Sequence, residues 1–140
     1  MDEGIISAGA SSFAPVRAGT SSPQRILVVN DETDARQLNV DVLVEAGYEV
    51  DAVKDGASGW EMLQFNSYHL IITDNQMPRM TGIEMIAKLR SARMAVPVIM
   101  ATRSLPTFTI EHNPWLKPDA SLQVPFSNDE LLATVKKVLC

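Results

Sequence analysis

Ile26-Leu27-Val28-Val29 runs directly into Asn30-Asp31-Glu32-Thr33-Asp34: four apolar residues without a polar break, then a cluster of side chains that start helices. A run so short and so apolar reads as a strand buried on both faces, and capping residues straight after it read as a strand-to-helix connection. Outward from this stretch the same phrase recurs. Tyr48 to Val53 reads as a second strand, His69-Leu70-Ile71-Ile72-Thr73 as a third arriving at Asp74, Val98 to Ala101 as a fourth opened by Pro97 and closed by Thr102, and Ala120 to Val124 as a fifth. Between them lie segments of helical period. Residues 33–46 carry Ala35, Leu38, Val42, Leu43 and Ala46 at helical spacing, and Gly47 is a good terminator. Gly56 to Phe65 presents Trp60 and Leu63, and Gly82 to about Arg93 presents Ile83, Ile86 and Leu89. A capping box, Ser127-Asn128-Asp129-Glu130, opens a last helix through Leu131, Leu132, Val135 and Val138. Only Arg103 to Asp119 breaks the rhythm, since Pro106, Pro114 and Pro118 leave room for no more than a short helix around Thr107 to Asn113. Strands alternating with helices over short connections predict an α/β protein with a doubly wound, five-stranded parallel sheet, its ligands held beyond the carboxyl ends of the strands. Asn30, Asp31, Asp74 and Thr102 all fall at those ends.

Composition agrees with one modest core. The chain has 140 residues, 46% hydrophobic and 21% charged, and 12 basic against 17 acidic residues give a net charge of −5. An acidic balance makes nonspecific attraction to nucleic acid or anionic lipid an unexpected driving force, and no apolar run approaches the length of a membrane span. The single cysteine, Cys140, forms no internal disulfide, and Met1-Asp2-Glu3 is acidic where a secretory signal is basic, so a cytoplasmic protein is expected. Apart from Phe13, Val16 and Arg17, residues 7–23 are all Ser, Ala, Gly, Thr or Pro, too polar and small to offset the entropy of ordering them. The expected division is a flexible tail over 1–24 and a domain over 25–140.

The chemistry is concentrated in the acids. Two carboxylates brought together at neighbouring strand ends, Asp31 and Asp74, stay ionised only with a cation between them, and an all-oxygen site with few donors suits Mg²⁺. Asp34 reads as a capping acid, whereas Asp74 is followed by Asn75-Gln76-Met77-Pro78, with no helix until Thr81 or Gly82, so capping explains it poorly. A carboxylate beside Mg²⁺ is able to attack phosphorus, and the Thr102 hydroxyl is placed to bind the transferred group. His69 and His112 lack the spacing of a zinc pair and read as ordinary structural or surface residues. Trp60, Met62, Phe65 and Met85 read as packing residues, and Trp115, beside Pro114, as a possible surface anchor.

Four blocks in order, Ile26 to Glu32, Ile71 to Gly82, Val96 to Thr102 and Val124-Pro125-Phe126, resemble the receiver domain of two-component response regulators over about residues 25–140. The resemblance implies a flavodoxin-like sheet of order 2-1-3-4-5, whose fourth helix the prolines of 103–119 make irregular or shortened here, and a phosphoprotein carrying aspartyl phosphate, not an enzyme in the ordinary sense. By position it makes Asp74 the phosphoacceptor, and Asp31, Asp74 and the Gln76 backbone carbonyl Mg²⁺ ligands, with Asn30 joined to the metal through water. It makes Thr102 the phosphoryl-binding hydroxyl, helped by the backbone N–H groups of Asn75, Gln76 and Arg103. The implied partners are a sensor histidine kinase or phosphorelay protein and a downstream protein; direct nucleic-acid binding and membrane insertion are not implied, and dimerisation is left open. No output domain follows the last helix, so signalling through a partner, or a fragment, is expected.

Three positions depart from that pattern. Asn30 stands where an acid is usual, and its carbonyl still accepts from a metal-bound water. Val124 stands where the family carries a lysine that contacts the acceptor carboxylate and then the phosphoryl oxygens, and valine has no donor. Ser121 occupies the place of the aromatic switch residue. In charge the first two offset, since three acids, Mg²⁺ and a lysine sum to zero and so do two acids with Mg²⁺; a preorganised donor is not replaced by a sum. Arg103 or, less readily, Lys117 is a conceivable substitute, and Val124-Pro125 is a candidate cis peptide. The competing reading is a pseudo-receiver, a phosphorylation-independent binding module. A dehalogenase-type phosphatase would need an acid where Gln76 stands, and a flavin carrier would place phosphate against the repelling Asp31, Glu32 and Asp34.

Overall fold

The structure is a computed structural model that describes residues 23–140. Its elements are β1 (Arg25–Val29), α1 (Thr33–Glu45), β2 (Glu49–Val53), α2 (Gly56–Phe65), β3 (Leu70–Thr73), α3 (Gly82–Ser91), β4 (Val98–Thr102), α4 (Thr107–His112), a 3-10 turn (Pro114–Leu116), β5 (Ala120–Gln123) and α5 (Asn128–Leu139). All four strand pairings are parallel and the order is β2-β1-β3-β4-β5. The predicted sheet is therefore present, and the chain reverses direction of travel between β1 and β3, where the crevice opens. The Gln24 carbonyl, just ahead of β1, accepts from the Glu49 N–H, and residues 1–22 of the expected tail lie outside the described residues.

Two-residue alternation in the strands sorts the core into two layers. Ile26, Val28, Ile72 and Ile99 pack with Leu43 of α1 and with Leu131 and Val135 of α5. Leu27, Val29, Ile71 and Met100 pack with Leu63 of α2 and with Met85, Ile86 and Leu89 of α3. Because β1, β3 and β4 are covered on both sides, they read as continuous apolar runs, while the edge strand β2 is only half-buried. The fourth helix is shortened to six residues with none buried; Pro106 precedes it and Pro114 follows it.

Three expectations of packing are corrected. Leu38 is exposed and its neighbour Asn39 is buried, so the buried stripe of α1 runs one residue later than its apolar spacing suggests. Phe65, at the last turn of α2, is 80% exposed and packs in neither layer. Asp34 does not cap α1: the N-cap is Glu32, no side chain bonds the free N–H groups, and Asp34 acts only as a first-turn charge on the helix dipole. His69 and His112 are ordinary, the first accepting the Arg25 N–H and the second bonding the Phe108 carbonyl within α4. The Val124–Pro125 peptide is cis.

Candidate functional site

Sheet register brings the singled-out residues together. Val29 of β1 pairs with Thr73 of β3, so the residues after them, Asn30 and Asp74, leave adjacent strands at one level. The Asp74 N–H donates to the Val29 carbonyl and the Asn30 N–H to the Val53 carbonyl, which fixes both exits by backbone bonds. Thr102 closes β4 beside them, with its hydroxyl buried, and the Val124 N–H donates to the Thr102 carbonyl, bringing the residue after β5 into the same rim. Asp31 is exposed and opens onto a cleft lined also by Lys54, Asp55, Pro78 and Arg79.

The loop after Asp74 is tied at nearly every step. Asn75 accepts twice, on its carbonyl from the Gly82 N–H and on its side-chain oxygen from the Ile83 N–H. Thr81 and Glu84 form a reciprocal capping box that starts α3. Gly82 is required sterically, since a Cβ there would run into the Asp74 carbonyl oxygen. Arg79, in the left-handed region at φ 71°, turns its guanidinium back to Asp55 at 2.8 Å. Asp55 is buried at the N-cap of α2, where it also accepts the Ser58 N–H at 2.7 Å. Sequence reading passed over this pair. The signal for Asp55 was available, an Asp at N-cap position ahead of Gly56 and Ser58, but the reversed backbone that returns Arg79 was not.

Burial pushes the Asp55 carboxyl upward, but the Ser58 N–H and the Arg79 guanidinium outweigh it and hold the pKa at about 2, below its ordinary 3.8. A pKa lowered on folding contributes stability that is full above 3.8 and is lost as pH falls toward about 2. The difference corresponds to about 2 kcal/mol at most, and to less because Arg79 is largely solvated. Asp55→Asn, which keeps a capping side chain, should lower urea stability at pH 7 by about 1 kcal/mol. The gap to the parent should close as pH approaches 2; a gap independent of pH would assign the loss to packing.

The Asp74 carboxylate has two different oxygens. Oδ1 accepts from the Asn75 N–H at 2.6 Å and from the Gln76 N–H at 3.3 Å. Oδ2 has no hydrogen-bond partner among the described residues. The two N–H groups expected to meet a phosphoryl group are thus engaged by the Asp74 carboxylate itself. The Thr102 hydroxyl makes only long bonds to Ser104, at 3.5 Å to its carbonyl and 3.4 Å from its N–H. Asn30 uses its side-chain oxygen on the Glu32 N–H at 2.9 Å, leaving a second lone pair on that oxygen. Arg103 points no side-chain donor at these groups; it is exposed, and its carbonyl accepts from Gln123.

No group of three or more His, Cys, Asp or Glu side chains that would hold a metal occurs among the described residues. With Asn30 in place of an acid, and Asp55 committed to Arg79 and Ser58, the rim offers two carboxylates and the Gln76 carbonyl, which accepts no hydrogen bond among the described residues. Three hard oxygen donors fit Mg²⁺, which keeps several waters, better than Zn²⁺ or Ca²⁺.

The architecture is a doubly wound parallel sheet with two acids and a buried threonine at its strand ends, and comparison with known proteins assigns its class. The family model described as the response regulator receiver domain matches residues 26–136. Among curated relatives, the transcriptional regulatory protein DltR of Streptococcus agalactiae is 31% identical over 80% of this chain and 50% of its own length. CusR of Escherichia coli is 34% identical over 82% of this chain and 51% of its own. Among solved structures, the chemotaxis response regulator CheY4 of Vibrio cholerae is 30% identical with TM-score 0.75, covering 84% of this chain and 99% of that one. The response regulator TrrA of Thermotoga maritima, in complex with Mg²⁺-BeF, is 32% identical with TM-score 0.73 over 83% and 99% of the two chains. The chain belongs to the response regulator receiver domain family of two-component systems. It spans about half the length of the curated relatives it matches. Among the described residues, no helix is long and apolar enough to cross a membrane.

Proposed function

We propose that residues 25–140 receive a phosphoryl group on Asp74 Oδ2 from a phosphohistidine of a sensor kinase or phosphorelay protein, or from a small acyl phosphate, and pass the signal to a downstream protein. The observation that carries this reading is the asymmetry of the Asp74 carboxylate: Oδ1 is held by two backbone N–H groups, so Oδ2 is left as an oriented, unpartnered nucleophile. Oδ2 forms the O–P bond as the bond from phosphorus to the donor nitrogen or oxygen breaks, and the leaving group departs on the opposite side. Mg²⁺, held by Asp31, Asp74 and the Gln76 carbonyl and through water by Asn30, would neutralise charge on the phosphoryl oxygens. The Thr102 hydroxyl exchanges its long Ser104 contacts for a phosphoryl oxygen, and the Asn75 and Gln76 N–H groups pass from Oδ1 to the incoming phosphoryl oxygens, where the Arg103 N–H completes the cradle. This reading places the chemistry in the cytoplasm.

Intact-mass measurement after incubation with acetyl phosphate and Mg²⁺ tests the assignment. The parent should gain one phosphoryl group, Asp74→Asn should gain none, and chelation of the metal should abolish the gain. The pseudo-receiver is the second reading, favoured by Val124, which offers no donor, and by Ser121, which is exposed opposite Met100 and has no ring to bury. An unmodified parent beside a modified Val124→Lys variant would establish that second reading.

A further inference from the structure

Behind the acidic rim, between α1 and the loop from β5 to α5, lies a cavity of about 170 Å³ that phosphoryl transfer does not use. Its walls are apolar: Ala35 and Leu38 of α1, Ala101 of β4, and Val124, Pro125 and Phe126. The polar groups that line it are three asparagines, and no ionisable side chain takes part. Two of these, Asn30 and Asn128, are at least partly solvated, but Asn39 is 94% buried, as its 6% relative exposure shows. The Asn39 side chain makes no hydrogen bond among the described residues. A primary amide buried without a partner costs on the order of 1–3 kcal/mol, and such a group in a native fold calls for an explanation. Its helix does not supply one, because an apolar residue at position 39 would continue the buried stripe toward Leu43.

The pocket is open to solvent beside Leu38 and Pro125, its volume exceeds what one water fills, and an apolar space of about 150 Å³ is large enough for benzene. Apolar walls with one convergent amide are also the usual make-up of a small-molecule site. We propose that this cavity binds a small neutral amphiphile, a single ring or branched chain with one hydroxyl or amide group, whose polar end pairs with the Asn39 side chain. With no ionisable lining group, the pocket offers a charged ligand no partner to offset its desolvation, which favours a neutral one. The valine at position 124 contributes to the site, because it replaces a long cationic side chain with an apolar wall. Asn30 and Val124 belong to both the cavity and the acidic rim, while Asp74 does not line the cavity.

Phenol and benzene, titrated into the full chain and followed by amide chemical shifts, test the site. Phenol should give saturable shifts at Asn39, Ala101 and Val124, with affinity on the order of 1 mM for so few atoms. Asn39→Leu, which keeps the volume and removes the amide, should weaken phenol about tenfold and leave benzene equal or tighter. Val124→Phe, which fills the void, should abolish both while Asp74→Asn changes neither. Shifts that never saturate, or that survive Val124→Phe, would overturn the site. Phenol affinity unchanged in Asn39→Leu would overturn the amide as its anchor, and with it the class of ligand.

Discussion

Val124→Lys is expected to accelerate phosphoryl transfer from acetyl phosphate to Asp74 by about 10²-fold, the lower range for one preorganised donor aimed at developing charge. The position is correct for it. The Val124 N–H is bonded to the Thr102 carbonyl, so a side chain at 124 starts beside the threonine and shares a wall with Asn30. In the proposed site, valine would leave the phosphoryl oxygens with the Thr102 hydroxyl, backbone N–H groups and Mg²⁺, which would balance the charge of Asp31 and Asp74 without supplying that directed contact. Single-turnover mass measurements at saturating Mg²⁺ read the effect. Equal rates in parent and variant would mean that another donor already occupies the place of the lysine, and Arg103→Ala would then be the variant to examine.

Gly82→Ala should lower stability by about 3 kcal/mol, a loss of about 10 °C in Tm, because the added Cβ collides with backbone and not with a yielding side-chain tip. The atom it meets is the Asp74 carbonyl oxygen, with Asn75 Cα close behind. Relief requires moving the loop that carries both the acceptor and the Gln76 carbonyl, so adduct formation should fall together with stability. Gly47→Ala is the control, since Gly47 has φ 101° with nothing within 4 Å of an added Cβ. It should cost only about 1 kcal/mol of backbone strain and leave phosphoryl transfer unchanged. A Gly82→Ala protein that melts with the parent would show that the loop from β3 to α3 yields easily, despite its ties to Asn75 and Asp55.

The rim was legible where polar residues sit at strand ends, because an apolar run that stops at a polar side chain carries its location with it. Asp31, Asp74 and Thr102 were placed at strand ends this way, whereas Asn30, Val124 and Ser121 stand out only against the family pattern. Neither reading reached what the backbone does after Asp74. The capture of Asp74 Oδ1 by the next two N–H groups, the left-handed Arg79 and its return to a buried Asp55 depend on dihedral angles that no spacing encodes. In α1 the spacing even misled by one residue, placing Leu38 inward where Asn39 is buried. Helical period defines a stripe only to within a residue, and the choice is made by the elements that pack upon it.

By itself, then, the amino-acid sequence determined the element order, the parallel sheet and the acids at its carboxyl edge, since these follow from local periodicity and from the interruption of apolar runs. The tertiary structure alone decided which oxygen of Asp74 is without a partner among the described residues, which cation holds Asp55, and that the buried Asn39 amide lines a pocket beside Val124. Those are outcomes of contacts between segments tens of residues apart, fixed when two packed layers close on the sheet, and they leave no trace in the order of residues along the chain.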